Sequence, residues 1–238
     1  MTGCNNCHRG EPDVRLLTCR SCLSAQYCSQ ECQRSDWPNH RGPCRSINPI
    51  PGVSQSSAAS WIQGLLGEEL SGAYGPSPPK GLDSGISSPF TRLQNGTFLH
   101  NRSERDVYRI LIDSFRFRME EQCQHDGQAV EGTIYDDLDD SLPAFKQYLE
   151  TAASRRNLLP PWWTPQKQRE CEAFGMTGTD FQDLHMALEQ FSATWHYADS
   201  RFPSQLRMLA EAVYETGVGG TSSSTRRAAL AELEASGR

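Results

Sequence analysis

The stretch CSQECQRSDWPNHRGPC, residues 28–44, concentrates three cysteines and one histidine into seventeen residues. Four further cysteines precede it, so seven of the nine cysteines in the chain fall within residues 4–44. Together these residues form four pairs, spaced C-x2-C, C-x2-C, C-x3-C and H-x3-C. Each spacing allows a tight turn or a single helical turn to direct two ligand atoms at one ion. The eight candidate ligands are Cys4, Cys7, Cys19, Cys22, Cys28, Cys32, His40 and Cys44.

Eight ligands suffice for two tetrahedral zinc sites with none left over. Because protein side chains would fill every position, the pattern predicts structural zinc rather than catalytic zinc. The competing explanation is a secreted disulfide scaffold, which needs an even number of cysteines and a secretory leader. The chain has nine cysteines, and its start, MTGCNNCHRG, lacks an apolar core. We therefore expect an intracellular zinc protein, in which Cys123 and Cys171 are buried apolar side chains.

The ligand order C-x2-C…C-x2-C-x5-C-x3-C-x7-H-x3-C resembles the MYND zinc finger, and Tyr27 and Asp36-Trp37 match its interior. The resemblance implies a small cross-braced finger with short β-hairpins, a short helix and little other regular structure. One zinc ion would take Cys4, Cys7, Cys28 and Cys32, and the other would take Cys19, Cys22, His40 and Cys44. Such cross-bracing lets two ions replace a core that so short a segment cannot build.

The resemblance also implies a protein partner, often a short proline-rich peptide that loses little entropy on docking. The chain's own Pro76-Ser77-Pro78-Pro79 is an alternative, intramolecular ligand. Within residues 1–45, six arginines, four carboxylates, seven thiolates and two zinc ions give a net charge of −1. A nucleic-acid footprint is normally strongly basic, so direct DNA binding is disfavoured. A DNA-associated transcription regulator remains the alternative function.

Composition divides the chain into four segments. Residues 1–45 form the finger, and residues 46–102, rich in serine, glycine and proline, are predicted to be a linker. An apolar island at residues 61–70 is either a docking helix or disordered. Residues 103–217 are predicted to form a mainly α-helical domain. Residues 218–238 are predicted to be a flexible tail, whose Ala-rich end is at most a marginal isolated helix. No run of eighteen apolar residues is present, so no transmembrane helix is expected.

Five helices are predicted within residues 103–217 from apolar periodicity and capping signals. The first follows Ser103, the second starts near Leu142, and the third has Thr164 as its N-cap. The fourth uses Phe181, Leu184, Leu188 and Phe191, and the fifth runs from Pro203 to Gly217. Trp162 and Trp163, which follow two prolines, either anchor this bundle or line a peptide groove.

The residues predict a protein that is not an enzyme. The known MYND enzymes are lysine methyltransferases that split a β-rich SET domain around the finger, whereas here the finger starts at residue 4 and an Asn-His-Ser-Cys signature is missing. Zinc-protease, hydrolase and P-loop motifs are also missing. His185 and Glu189 have the spacing of an ordinary surface pair on a helix, and the acidic run at residues 136–140 is predicted to be a solvated loop.

A second resemblance lies in phrases such as VYRILIDSFRFRMEE and PSQLRMLAEAVY, which look like the C-terminal part of a group of fungal MYND-finger proteins. It implies a regulatory adaptor, in transcription control, in development or on a ubiquitin ligase, located in the nucleus, the cytoplasm or both. The sequence thus predicts a zinc-binding adaptor that recruits a protein partner. An enzyme with its active site in the helical domain is the third class, and a large pocket with converging titratable groups would favour it.

Overall fold

The computed structural model describes residues 3–10, 14, 16–18, 25–29, 32, 35–36, 39–40, 76–126 and 130–236. The chain divides into two units, Met1–Ser71 and Gly72–Arg238. The first unit contains a short antiparallel ladder in which strand β1, Leu17–Thr18, pairs with strand β2, Gln26–Tyr27. The apolar island at residues 61–70 lies outside the described residues.

The second unit is mainly helical, as the sequence predicts. Within the described residues, no helix combines the length and apolarity needed to cross a membrane. A short 3-10 turn, Val218–Gly220, separates the last two of the helices described in this unit. These helices are α1 (Pro89–Gln94), α2 (Glu104–Asp126), α3 (Leu142–Ser154), α4 (Pro165–Gly175), α5 (Gln190–Tyr197), α6 (Phe202–Tyr214) and α7 (Ser224–Ser236).

Three of the helix starts follow the predicted signals. The Ser103 hydroxyl accepts a hydrogen bond from the backbone N–H of Asp106 at 3.1 Å, which caps α2. The Thr164 hydroxyl accepts one from the N–H of Lys167 at 3.3 Å, with Pro165 as the first residue of α4. Helix α3 starts at Leu142, as expected. The two caps explain why the sequence alone locates the starts of α2 and α4, whereas Ser141 makes no side-chain cap at the start of α3.

Helix α2 forms the centre of the helical unit. Its predicted apolar face is buried, and Phe115 packs against Phe145 and Tyr148 of α3 with ring centroids 5.3 and 5.5 Å apart. Ile112 and Phe117, which lie off that face, are buried as well. A helix buried on several sides must satisfy its polar side chains internally.

The buried Asp113–Arg116 pair meets that requirement. The Arg116 Nη1 donates to the Asp113 carboxylate at 2.7 Å, and the second carboxylate oxygen accepts from Gln182 at 3.0 Å and from the Tyr197 hydroxyl. The Arg116 guanidinium also donates to three backbone carbonyls, at 2.9 to 3.0 Å. The three carbonyls belong to Phe181, Met186 and Ala187.

The predicted fourth helix is wrong in its extent. Residues 181–189 form a loop, and helix α5 starts only at Gln190. Arg116 binds backbone carbonyls of this loop that a helix would bond internally, so the tertiary contact overrides the apolar spacing. Leu184 and Leu188 are still buried, as their apolar character predicts. The fifth predicted helix corresponds to α6, which ends at Tyr214.

The structure also differs from the predicted linker and tail. Within residues 76–102, helix α1 forms and Phe90, Phe98 and Leu99 are buried. Residues 224–236 form α7, which packs on α1. The Glu234 carboxylate of α7 accepts hydrogen bonds from the N–H groups of Phe90 and Thr91 at 3.1 and 2.8 Å. The serine-, glycine- and proline-rich composition does not predict this helix, because the groups that cap α1 come from Glu234, which is distant in sequence.

Replacing Arg116 by methionine should destabilise the helical unit by about 3–5 kcal/mol, because it leaves the Asp113 carboxylate buried without its cation. The measurement is urea unfolding followed by far-UV circular dichroism. The matched control is Arg105→Met, which removes a largely exposed pair with Asp180 at 3.8 Å. Arg105→Met should lower the free energy of unfolding by about 1 kcal/mol or less. Equal losses in the two variants would show that the buried pair does not organise the unit.

Candidate metal centre

Four cysteines of the first unit converge on one point. The sulfur atoms of Cys4, Cys7, Cys28 and Cys32 all lie within 4.8 Å of one another. The Cys28 sulfur is 3.4 Å from that of Cys7 and 3.5 Å from that of Cys32. A tetrahedral zinc ion with Zn–S bonds of about 2.3 Å holds its sulfurs roughly 3.8 Å apart. The cluster therefore has the donor set and the dimensions of a zinc–thiolate centre.

Backbone contacts bring the first and third cysteine pairs together. The N–H of Asn5 donates to the Gln26 carbonyl at 2.7 Å, and the N–H of Gln26 donates to the Asn5 side-chain oxygen at 3.0 Å. These two bonds fasten the Cys4–Cys7 loop to strand β2. Cys28 follows directly after that strand. The chain then turns so that the N–H of Cys32 donates to the Ser29 hydroxyl at 3.1 Å, which keeps Cys32 beside Cys28.

The same loop stabilises negative charge on sulfur. Burial acts to raise the pKa of the Cys4 thiol, but hydrogen bonds from the backbone N–H groups of Cys7, Cys28 and Asn6 outweigh it and lower the pKa to about 6. A hydrogen bond from Ser29 likewise lowers the pKa of Cys32. Hydrogen bonds with Cys7 and Cys32 raise the pKa of Cys28 to about 12. Zinc binds the thiolate form, so the loop favours the ionised ligand at Cys4 and Cys32, whereas Cys28 would have to lose its proton when the metal binds.

His40 lies apart from the four-cysteine cluster. Its imidazole is buried, 6% exposed, and meets the edge of the Tyr27 ring with centroids 5.6 Å apart. The Tyr27 hydroxyl donates to the Asp36 carboxylate at 2.7 Å. The other predicted ligands of the second zinc site, Cys19, Cys22 and Cys44, lie outside the described residues. That second site therefore stays a prediction.

The positioning roles of Asn5 and Ser29 were not predicted from the sequence. Both residues occupy turns next to a cysteine, and both types commonly hydrogen-bond nearby backbone groups. That preference is the only local signal of their roles, because the partner of Asn5 lies 21 residues away.

The other chemically interesting residues are arranged differently from the prediction. His185 lies in the loop before α5, and its Nδ1 lies 2.6 Å from the Asp183 carboxylate, so the expected helical pair with Glu189 is wrong. Cys123 and Cys171 are buried, which confirms their structural role. The acidic run at residues 136–140 is largely exposed. In the part of the chain that the structure describes, the four-cysteine group alone has metal-binding geometry.

These features define a cysteine-rich zinc-binding finger. More particularly, residues 4–44 match the family model of the MYND finger. The chain therefore carries a MYND finger over about a sixth of its length. A MYND finger is a zinc-binding module for protein interaction.

Curated relatives match parts of the chain. Human "Histone-lysine N-methyltransferase SMYD3" is 25% identical over 125 residues, which are 52% of this chain and 27% of the relative. "SET domain-containing protein 14" of Caenorhabditis elegans is 37% identical over 54 residues, 23% of this chain and 12% of the relative. "Tudor domain-containing protein 1" of Oryzias latipes is 44% identical over 34 residues, 14% of this chain and 3% of the relative. The chain thus spans about a quarter or less of these relatives. No solved structure gives a significant match.

These relatives contradict the expectation that the protein is not an enzyme. Two of the three carry a methyltransferase or SET-domain name, and the 125-residue match is longer than the finger. The expectation rested on the lack of short contiguous motifs, on the position of the finger at residue 4 and on a helical rather than β-rich pattern after it. Catalytic groups, however, are assembled in space from distant positions, so missing linear motifs are a weak basis for excluding an activity.

Replacing Cys28 by serine should release one equivalent of zinc, because it removes the sulfur that touches both Cys7 and Cys32. Zinc per chain is measured by inductively coupled plasma mass spectrometry. The far-UV circular dichroism of the helices should be retained. Cys123→Ala, in helix α2, is the control and should keep the wild-type zinc content. Unchanged zinc in Cys28→Ser would show that the cluster is not a metal centre.

Proposed function

We propose that the MYND finger is the recruiting surface of a regulatory adaptor. The observation that carries this proposal is the convergence of Cys4, Cys7, Cys28 and Cys32 inside a segment that matches the MYND model. A zinc ion held by four protein thiolates has no open position for substrate. Its contribution is to hold the short loops rigid, so that a partner meets a preformed surface.

The complete finger would hold two structural zinc ions. One would bind the four-cysteine cluster, and the other would bind Cys19, Cys22, His40 and Cys44. The burial of His40 supports the second zinc site. His40 packs on Tyr27, the residue directly before Cys28, so this predicted ligand of the second site lies next to the segment that carries a ligand of the first. Reduced cysteines of this kind fit an intracellular location, in the nucleus, the cytoplasm or both.

The partner would be a protein segment rich in proline. Such a segment enters the complex already extended, so a finger of this size is able to bind it with a small contact area. Nucleic acid is disfavoured by the net charge of −1 counted for residues 1–45 with two zinc ions bound. This recruiting activity would serve a regulatory role, in transcription, in development or on a ubiquitin ligase.

A pull-down from cell extract tests the recruiting role. Wild-type protein is compared with Cys28→Ser/Cys44→Ser and with the Cys123→Ala control, and zinc content is measured for all three. We expect proline-rich partners that are retained by wild type and Cys123→Ala and lost from the double variant. Identical partners in every lane would place recruitment outside the finger.

A second candidate function is methyl transfer to a lysine side chain. It is favoured by the match with human histone-lysine N-methyltransferase SMYD3, which extends beyond the finger. Within residues 76–126 and 130–236, the described chain consists of helices, loops and one isolated bridge, Ser77 to Ile86. If these residues form the active site, they must build it on a helical framework, unlike the β-rich SET domain.

Incubation with tritium-labelled S-adenosylmethionine and core histones tests this candidate. Label should enter the histones in proportion to the amount of protein, and heat-denatured protein should transfer none. Calorimetric titration with S-adenosylmethionine should detect saturable binding. The absence of both signals from a zinc-loaded preparation would eliminate methyl transfer.

A further inference from the structure

A cleft of about 730 Å³ opens in the helical unit beside the end of helix α1. One side is formed by Arg92 of α1 and by His100 and Arg102 from the loop that follows. Another part of the lining is formed by Pro160 and Trp162, from the segment between α3 and α4. None of the side chains that line the cleft is a carboxylate. The cleft lining therefore combines positively charged side chains with apolar and aromatic ones.

Arg102 is an unusual component of this cleft because it is 6% exposed. Its Nε donates to the Phe98 carbonyl at 2.9 Å, and its Nη1 lies 3.5 Å from the Ser84 carbonyl. Its Nη2 is buried and has no hydrogen-bond partner in the part of the chain that the structure describes. A buried charged donor without an acceptor is costly. The guanidinium lies over the Phe98 ring, with its Cζ 4.8 Å from the ring centroid, which offsets part of that cost and leaves a positive charge beside the cleft.

The charge on this side persists at neutral pH. Burial lowers the pKa of the Arg102 guanidinium to about 10, and the neighbouring Asp106 opposes that shift. Arg92 adds a second guanidinium, of which only the Nε is engaged within the described residues, by the Ser87 carbonyl at 3.3 Å. Two guanidinium charges beside one cleft attract an anion, and the Nη groups of Arg92 are able to bind a carboxylate or a phosphate.

The aromatic side is held rigid. Trp163 packs edge-on against Tyr108 of α2, with centroids 6.1 Å apart. Trp162 packs on Trp163 at 6.0 Å and is half-buried at the cleft. Of the two roles that the sequence left open for this pair, Trp163 anchors the bundle and Trp162 is left as a binding face. His100 is held by a hydrogen bond, because its Nε2–H donates to the Asn157 carbonyl at 2.9 Å.

We propose that this cleft binds a small oxyanion, a carboxylate or a phosphate, whose aromatic body lies against Trp162. The Arg92 guanidinium binds the anionic end, and the positive charge of the buried Arg102 guanidinium adds to the attraction. The Trp162 indole and Pro160 cover the ring. This site is independent of the zinc finger and of the proposed recruitment.

Isothermal titration calorimetry of the zinc-loaded 238-residue chain tests the proposal. The probes are phenyl phosphate, benzoate, inorganic phosphate and neutral benzyl alcohol. We expect saturable binding of at least one aryl anion, at least tenfold tighter than benzyl alcohol. The tighter of phenyl phosphate and benzoate identifies the anion. No saturable binding of either aryl anion, or equal binding of benzyl alcohol, would overturn the proposal.

Variants assign the binding to the cleft. Arg92→Gln should weaken the binding of the preferred aryl anion about tenfold or more, which is the effect of losing one charge-assisted hydrogen bond. Trp162→Ala should weaken the binding of the aryl anions more than it weakens the binding of inorganic phosphate. Arg169→Gln is the matched control, because Arg169 bonds Gln166 on its own helix and does not line the cleft. An equal loss of affinity in Arg169→Gln would show that general surface charge accounts for the binding, and it would refute the site. Arg102→Met is informative only if circular dichroism shows it folded, and Arg92→Gln decides the matter without it.

Discussion

The hydrogen-bonding demand of one buried cation, Arg116, determines how the helical unit is arranged. A guanidinium group taken out of water must find acceptors for its N–H groups in fixed directions. Arg116 finds them in Asp113 and in three backbone carbonyls of the loop before α5. Asp113 in turn binds Gln182 of that loop and Tyr197 of α5. Helix α2, the loop and α5 are therefore connected by one polar network inside an otherwise apolar core.

The finger solves the problem of a small core by different means. Its loops carry few large apolar side chains, and their order depends on paired backbone hydrogen bonds and on thiolates gathered around one point. Zinc binding and folding are coupled in such a site, because the ligand cluster exists only when the loops are closed. The two units thus differ in the source of their stability, which is apolar burial around α2 in one and metal coordination in the other.

The sequence predicted most reliably those features that depend on neighbouring residues. The cysteine spacings, the capping residues Ser103 and Thr164 and the apolar face of α2 all involve positions within one or two turns of each other. Features that depend on distant partners were missed. Residues 181–189 have helical apolar spacing but form a loop because Arg116 binds their carbonyls. The cleft beside Trp162 joins residues some 60 positions apart in sequence, and no local pattern announces it.

The capping of α1 by Glu234 has a consequence for the order in which the chain folds. Ser88 occupies the N-cap position of α1 in a left-handed conformation and makes no side-chain cap, so the first N–H groups of the helix depend on a carboxylate 143 and 144 positions later. During synthesis on the ribosome, the segment around Phe90 emerges long before that carboxylate is made. The α1–α7 contact therefore cannot form until more than 140 further residues have been synthesised, so the start of α1 lacks this cap throughout that interval.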